Sequence, residues 1–221
     1  MDPQWKAPDR IETPEDILRG LEALLALDGR LRPVRDIAGP IPLRRNAPGF
    51  ASLASIIASQ QISRASAVAI FGRLSQLVDP LTPEGLLSGG EAVMIRAGLS
   101  RAKRTTLISL ATVLADGTLD LDELSLKPAD DALAALTALP GIGPWTAQVY
   151  LLVSAGHADI FPAGDVALQA AVAHAFGLPS RPAMKSLALM AESWAPWRSV
   201  AARLFWAYYR QIRGAEAAPA A

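Results

Sequence analysis

The residues best able to do chemistry stand in the hexapeptide Leu139-Pro140-Gly141-Ile142-Gly143-Pro144. Two glycines one residue apart permit positive φ and let another backbone come close. Pro144 suits the first position of a following helix, whose unpaired N–H groups carry partial positive charge. Such a helix start holds an anion, a phosphate for example, without any basic side chain. The same six residues also make an ordinary helix–loop–helix turn with a glycine cap, so alone they leave both readings open. No Asp, Glu, Lys or Arg occurs from Ala132 to Ala158. So long an uncharged stretch must be buried or must meet a partner through its backbone.

The rest of the composition narrows the chemistry. The 221 residues include 21 basic and 21 acidic side chains, 2 His and no Cys. That length predicts one domain or two small interlocked ones, at roughly 150 residues per domain. With 51% apolar and 19% charged residues there is ample core, and disorder is excluded. Without Cys there are no disulfides, thiolate zinc sites, iron–sulfur clusters or cysteine nucleophiles, and a metal site would need oxygen ligands. No apolar run reaches the roughly 18 residues of a membrane helix, and no signal-peptide core is apparent; a soluble, cytoplasmic protein is expected. Zero net charge lacks the basic excess usual for nucleic-acid binding. Backbone N–H groups offer another way to hold a phosphate backbone, without sequence preference.

Helix signals dominate the elements that must position these residues. Thr13-Pro14-Glu15-Asp16 reads as an N-cap, a first-position proline and an acidic first turn, with Gly29 closing that helix. A proline-rich passage follows (Pro33, Pro40, Pro42, Pro48), to which no helix is assigned. Helices are then expected over about 51–59 and 64–78, from Thr82 to near Gly90, and over about 101–114 and 130–138. The last of these leads into the hexapeptide. Further helices are expected from Pro144, from Asp165 to Gly177, and from about 183 and 196, ahead of an alanine-rich tail after Gly214. The fold class is all-α, with about ten short helices.

Taken together, five segments resemble the helix-hairpin-helix DNA glycosylases, in the alkylated-base branch of type II 3-methyladenine DNA glycosylases. They are Ile56–Ser63 (IIASQQIS), Gly98–Lys103 (GLSRAK), Leu139–Ala147 (LPGIGPWTA), Phe161–Asp165 (FPAGD) and Trp194–Ser199 (WAPWRS). In order, they span nearly the whole chain. The resemblance implies two helical subdomains with a cleft between them. It places residues 65–160 in a central subdomain ending in the hairpin, and packs 1–64 with 161–221 as the second, within one unit over 1–221. Some members carry an N-terminal β-rich domain, which is not expected here.

The resemblance implies that Asp165 is the catalytic carboxylate. Cleaving an N-glycosidic bond develops positive charge on the sugar, which a carboxylate stabilises, or the carboxylate orients water. Asp165 also fits as the N-cap of its helix, and the two roles are compatible. Bifunctional relatives have a Schiff-base lysine where this chain has Trp145, so a monofunctional hydrolase is implied. Trp145 and Trp206 fall at aromatic walls of the base pocket, where indole faces attract cationic alkylated purines. Trp206 also belongs to an apolar helix face. Val149 and Val166 stand where an aromatic can occur, which suggests a roomier pocket. Flipping a base out of duplex leaves a gap, and the resemblance puts Gln60 and Gln61 there, with Gln61 as the wedge.

The hairpin would hold DNA phosphate through the N–H groups of Gly141, Gly143 and Thr146. Family hairpins often bind Na+ or K+ through carbonyls, here those of Thr137, Leu139 and Ile142; no other cofactor is implied. Arg101, Lys103 and Arg104 form a basic helix start that could touch phosphate. His157 and His174 read as surface or loop residues. The expected partner is double-stranded DNA with alkylated bases, bound by a monomer. Two competitors are a non-enzymatic hairpin protein that binds DNA structure, disfavoured by Asp165, and an all-α interaction module without nucleic acid.

Overall fold

The computed structural model describes residues 7–213; Lys6 and the alanine-rich tail after Gly214 lie outside the described residues. The fold is all-α, as expected. The described residues form twelve helices and no strand, apart from an isolated bridge between Arg10 and His157. No helix among them is long and apolar enough to cross a membrane. They divide into two compact units, one of residues 46–155 and one of residues 7–45 with 156–213.

The continuous unit holds α3 (Phe50–Ser59), α4 (Arg64–Leu77), α5 (Pro83–Ala97), α6 (Arg101–Ala115), α7 (Leu121–Leu126), α8 (Ala129–Thr137) and α9 (Pro144–Val153). At its centre α3 packs on α4, α6 and α9. Leu53, Ala54, Ile57 and Ala58 are fully buried there. In α9, Ala147, Tyr150, Leu151 and Leu152 are fully buried as well. A helix apolar all round belongs inside a core, and this accounts for the missing charges around the hexapeptide.

The discontinuous unit holds α1 (Pro14–Leu27), α2 (Leu31–Ala38), α10 (Val166–Ala175), α11 (Met184–Glu192) and α12 (Arg198–Arg213). Every residue of α12 from Ser199 to Tyr208 is buried, and α1, α2 and α10 pack on it. Trp194 lies 5.1 Å from Phe205 and 5.3 Å from Phe161 between ring centroids, an aromatic knot at the start of α12. Each such pair adds about 0.5–1.5 kcal/mol beyond the area it buries.

Three elements depart from expectation. Pro33 lies in the first turn of α2, where a missing N–H breaks no helical bond, so the proline-rich passage contains a helix. At Gly90, α5 kinks (φ 65°, ψ −167°) and then continues to Ala97. The six residues of α7 are started by Asp120, whose carboxylate accepts from the N–H groups of Asp122 and Glu123, and they bury Leu121 and Leu124.

Candidate active site

Asp165 opens α10 in the discontinuous unit and is 4% exposed. Its Oδ1 accepts from the Leu168 N–H at 3.0 Å, the bond of an N-cap, and from Trp206 Nε1 at 3.3 Å. Two donors from two helices therefore aim one carboxylate. The Trp206 indole, 7% exposed, is thus tied by its N–H to the Asp165 carboxylate. Two hydrogen bonds shape the chain leading to Asp165: its N–H donates to Pro162 O at 2.8 Å, and the Gln169 side chain donates through Nε2 to Ala163 O at 3.0 Å.

The segment before Asp165 is clamped onto the start of α12. Ser199 Oγ donates to His157 O at 2.6 Å and accepts from the Ile160 N–H at 3.0 Å. Arg198 grips Asp159 with two bonds of 2.7 and 2.8 Å, a bidentate geometry. Trp194 and Trp197 are fully buried, and Trp194 Nε1 donates to Asp28 Oδ2 at 3.1 Å. The segment Trp194–Ser199 thus acts as scaffold for the loop that carries Asp165.

His157 is not a surface histidine: it is 4% exposed. Burial, helped by the Arg10 cation beside it, lowers its pKa to about 4. Arg10 donates to His157 Nδ1 at 3.2 Å, which fits a neutral ring. His174 is exposed, with Nδ1 2.7 Å from the Tyr208 hydroxyl. Arg203, which the sequence did not single out, lies buried in α12 and donates to the carbonyls of Leu43 and Arg44. Burial lowers its pKa to about 10.

The hairpin belongs to the continuous unit. Ile142 N–H closes a turn onto Leu139 O at 3.1 Å, with Gly141 between them at φ 82°. A Cβ on Gly141 would lie 1.9 Å from Thr106 Oγ1, so only glycine fits there. Gly143 is exposed, and no side chain caps the α9 N-terminus that it precedes. A helix start without a side-chain cap is the kind of place where first-turn N–H groups can meet an external acceptor. Thr137, Leu139 and Ile142 would offer neutral carbonyls, a donor set that fits a hard monovalent cation. Leu139 O already takes the turn bond. No cluster of His, Asp or Glu able to hold a metal occurs among the described residues.

In the same unit Gln61 is exposed at the end of α3, in the left-handed region (φ 58°). The Gln60 side chain is engaged elsewhere, with Nε2 donating to Thr146 Oγ1 at 2.7 Å. Lys103 is engaged too: its Nζ donates to Ala58 O at 2.8 Å. Trp145 is partly exposed in the first turn of α9. Val149 is 2% exposed in that unit's core, whereas Val166 is 57% exposed in the other unit.

Known proteins share this fold. The chain is 35% identical over 107 residues to the Bacillus subtilis protein YfjP, covering 48% of this chain and 37% of that relative, so it spans only about a third of YfjP's length. Its fold matches the solved 3-methyladenine DNA glycosylase of Schizosaccharomyces pombe in complex with abasic DNA. The TM-score is 0.81 at 25% identity, over 90% of this chain and 98% of that one. It also matches a DNA-3-methyladenine glycosidase from Bacillus halodurans, with a TM-score of 0.74 at 32% identity over 90% and 92% of the two chains. Residues 54–197 match the HhH-GPD superfamily of base excision DNA repair proteins, and this chain is a member of that superfamily.

Proposed function

We propose that the chain is a monofunctional DNA glycosylase that flips alkylated bases of the 3-methyladenine and 7-methylguanine type out of duplex DNA and releases them by hydrolysis. The carrying observation is Asp165, buried and aimed by the Leu168 N–H and the Trp206 indole in a chain with a phosphate-type hairpin. As positive charge develops on the sugar, this carboxylate stabilises it or orients the attacking water. Trp145 stacks the cationic base, and the hairpin anchors the DNA backbone by its N–H groups. Incubating the purified protein with methylated duplex and measuring free bases tests this. Binding without any release would favour a non-enzymatic DNA-structure protein.

Trp206→Phe keeps an aromatic ring and deletes the donor to Asp165. It is expected to slow base release about tenfold, the scale of one hydrogen bond to a charged group. A rate equal to wild type in single-turnover assays would remove Trp206 from the positioning role.

Strand cleavage is not expected to accompany release, because an indole cannot form a Schiff base. Lys103, a lysine of the same unit as the hairpin, is bonded to Ala58 O. Borohydride present during turnover should trap no protein–DNA adduct; a covalent band would identify a lyase amine.

Cationic 3-methyladenine and 7-methylguanine should leave faster than neutral hypoxanthine. Charged bases are good leaving groups, and the indole faces favour cations without requiring a proton donor. Equal rates for charged and neutral bases would point to a general acid that protonates the leaving base.

A further inference from the structure

Gln60 ends α3, immediately before the segment that would enter the duplex, yet its own side chain turns to a different partner. Its Nε2 reaches Thr146 Oγ1 at 2.7 Å, across 86 positions of sequence. Thr146 is 2% exposed and lies in the first turn of α9, the end suited to phosphate. From α6, Lys103 Nζ donates to Ala58 O at 2.8 Å, a cation at the negative end of the α3 dipole. Ser59 Oγ donates to Ile56 O at 2.8 Å, and the Gln60 N–H donates to Ile57 O at 3.3 Å. The carboxyl end of α3 is therefore tied to α6 on one side and to α9 on the other. The next residue, Gln61, is exposed and left-handed, a conformation that a non-glycine residue keeps only where its surroundings impose it.

We propose that Gln60 is a positioning residue whose bond to Thr146 holds the Gln61 side chain in register with the phosphate-binding end of α9. Backbone anchoring and gap filling are thereby coupled. A wedge ordered in advance loses less entropy when the base leaves the stack. Lys103 braces the same helix end and is a strut, not a phosphate ligand. The proposal rests on the glycosylase function proposed for the chain, but its test needs no base release.

A duplex with 2-aminopurine beside a tetrahydrofuran abasic analogue reports wedge insertion through fluorescence. Gln60→Leu and Thr146→Val each remove the bond at similar volume. Each should weaken insertion about tenfold when read at protein concentrations that saturate the abasic duplex, so that a change in overall affinity does not enter the signal. The double variant should lose no more than either single variant, because both break one contact. Thr146→Ser should restore insertion. Multiplied losses in the double variant, or unchanged fluorescence in the singles, would overturn the coupling. If Gln60→Leu fails to fold by circular dichroism, Gln60→Glu replaces it; its carboxylate can accept from the Thr146 hydroxyl, so insertion should stay near wild type, and a loss as deep as that of Thr146→Val would overturn the proposal. A wild-type protein that inserts its wedge but releases no base from methylated DNA would sink the glycosylase function alone.

Discussion

Asp165→Asn is expected to cut single-turnover base release by about 10² or more, the scale of one electrostatic catalytic group. Fold and duplex binding should persist. Asparagine keeps an oxygen for the Leu168 N–H at 3.0 Å and for Trp206 Nε1 at 3.3 Å, and it is as good an N-cap as aspartate. The substitution therefore removes the charge with little change in shape. Excision of 7-methylguanine under enzyme excess gives the rate, and circular dichroism with a duplex titration verifies fold and binding. A rate within a few-fold of wild type would leave Asp165 as a helix cap only. Comparison with Trp206→Phe then separates charge from aim: removing the carboxylate should cost far more than loosening it.

What was legible in the sequence was local. Thr13 forms the capping box with Asp16 that its spacing implies, and Thr82, Ser63 and Ser100 start their helices with side-chain bonds three residues ahead. Asp165 was readable as a cap for the same reason. Contacts between distant positions were not readable. The indole bond to Asp165 spans 41 residues and the Gln60–Thr146 bond 86, and no local pattern encodes either. His157 illustrates the limit well: it lies in the loop between α9 and α10, as a histidine after a glycine suggests, but only the packing of 7–45 against 156–213 within one unit buries it. Pro33 is compatible with a helix only in a first turn, and the position of that turn depends on where Leu31 finds the core.

The second large effect concerns how a chain with no net charge would hold DNA. Gly143→Asp should reduce duplex affinity by about 10² or more, an order-of-magnitude expectation for a charge placed against a phosphate. The site is well suited to this test, since a Cβ on Gly143 meets nothing within 4 Å and its φ of −85° is ordinary for any residue. Aspartate is also a preferred N-cap, so α9 should be at least as stable as before, and a melting temperature equal to or above wild type is expected. Lost binding with undiminished stability would then come from the charge at the α9 N-terminus. Gly143→Asn isolates that charge, offering the same cap without it, and should bind far better than Gly143→Asp. Gly141 would make a poor test, because its φ of 82° and the crowding by Thr106 mix folding with binding. Backbone anchoring also predicts a shallow salt dependence. Each phosphate neutralised by Lys or Arg contributes about −0.9 to the slope of log K against log salt, so the wild type should show a slope shallower than about −4. A steep slope, together with a Gly143→Asp protein that still binds, would move the DNA contact from the hairpin to basic side chains such as Arg101.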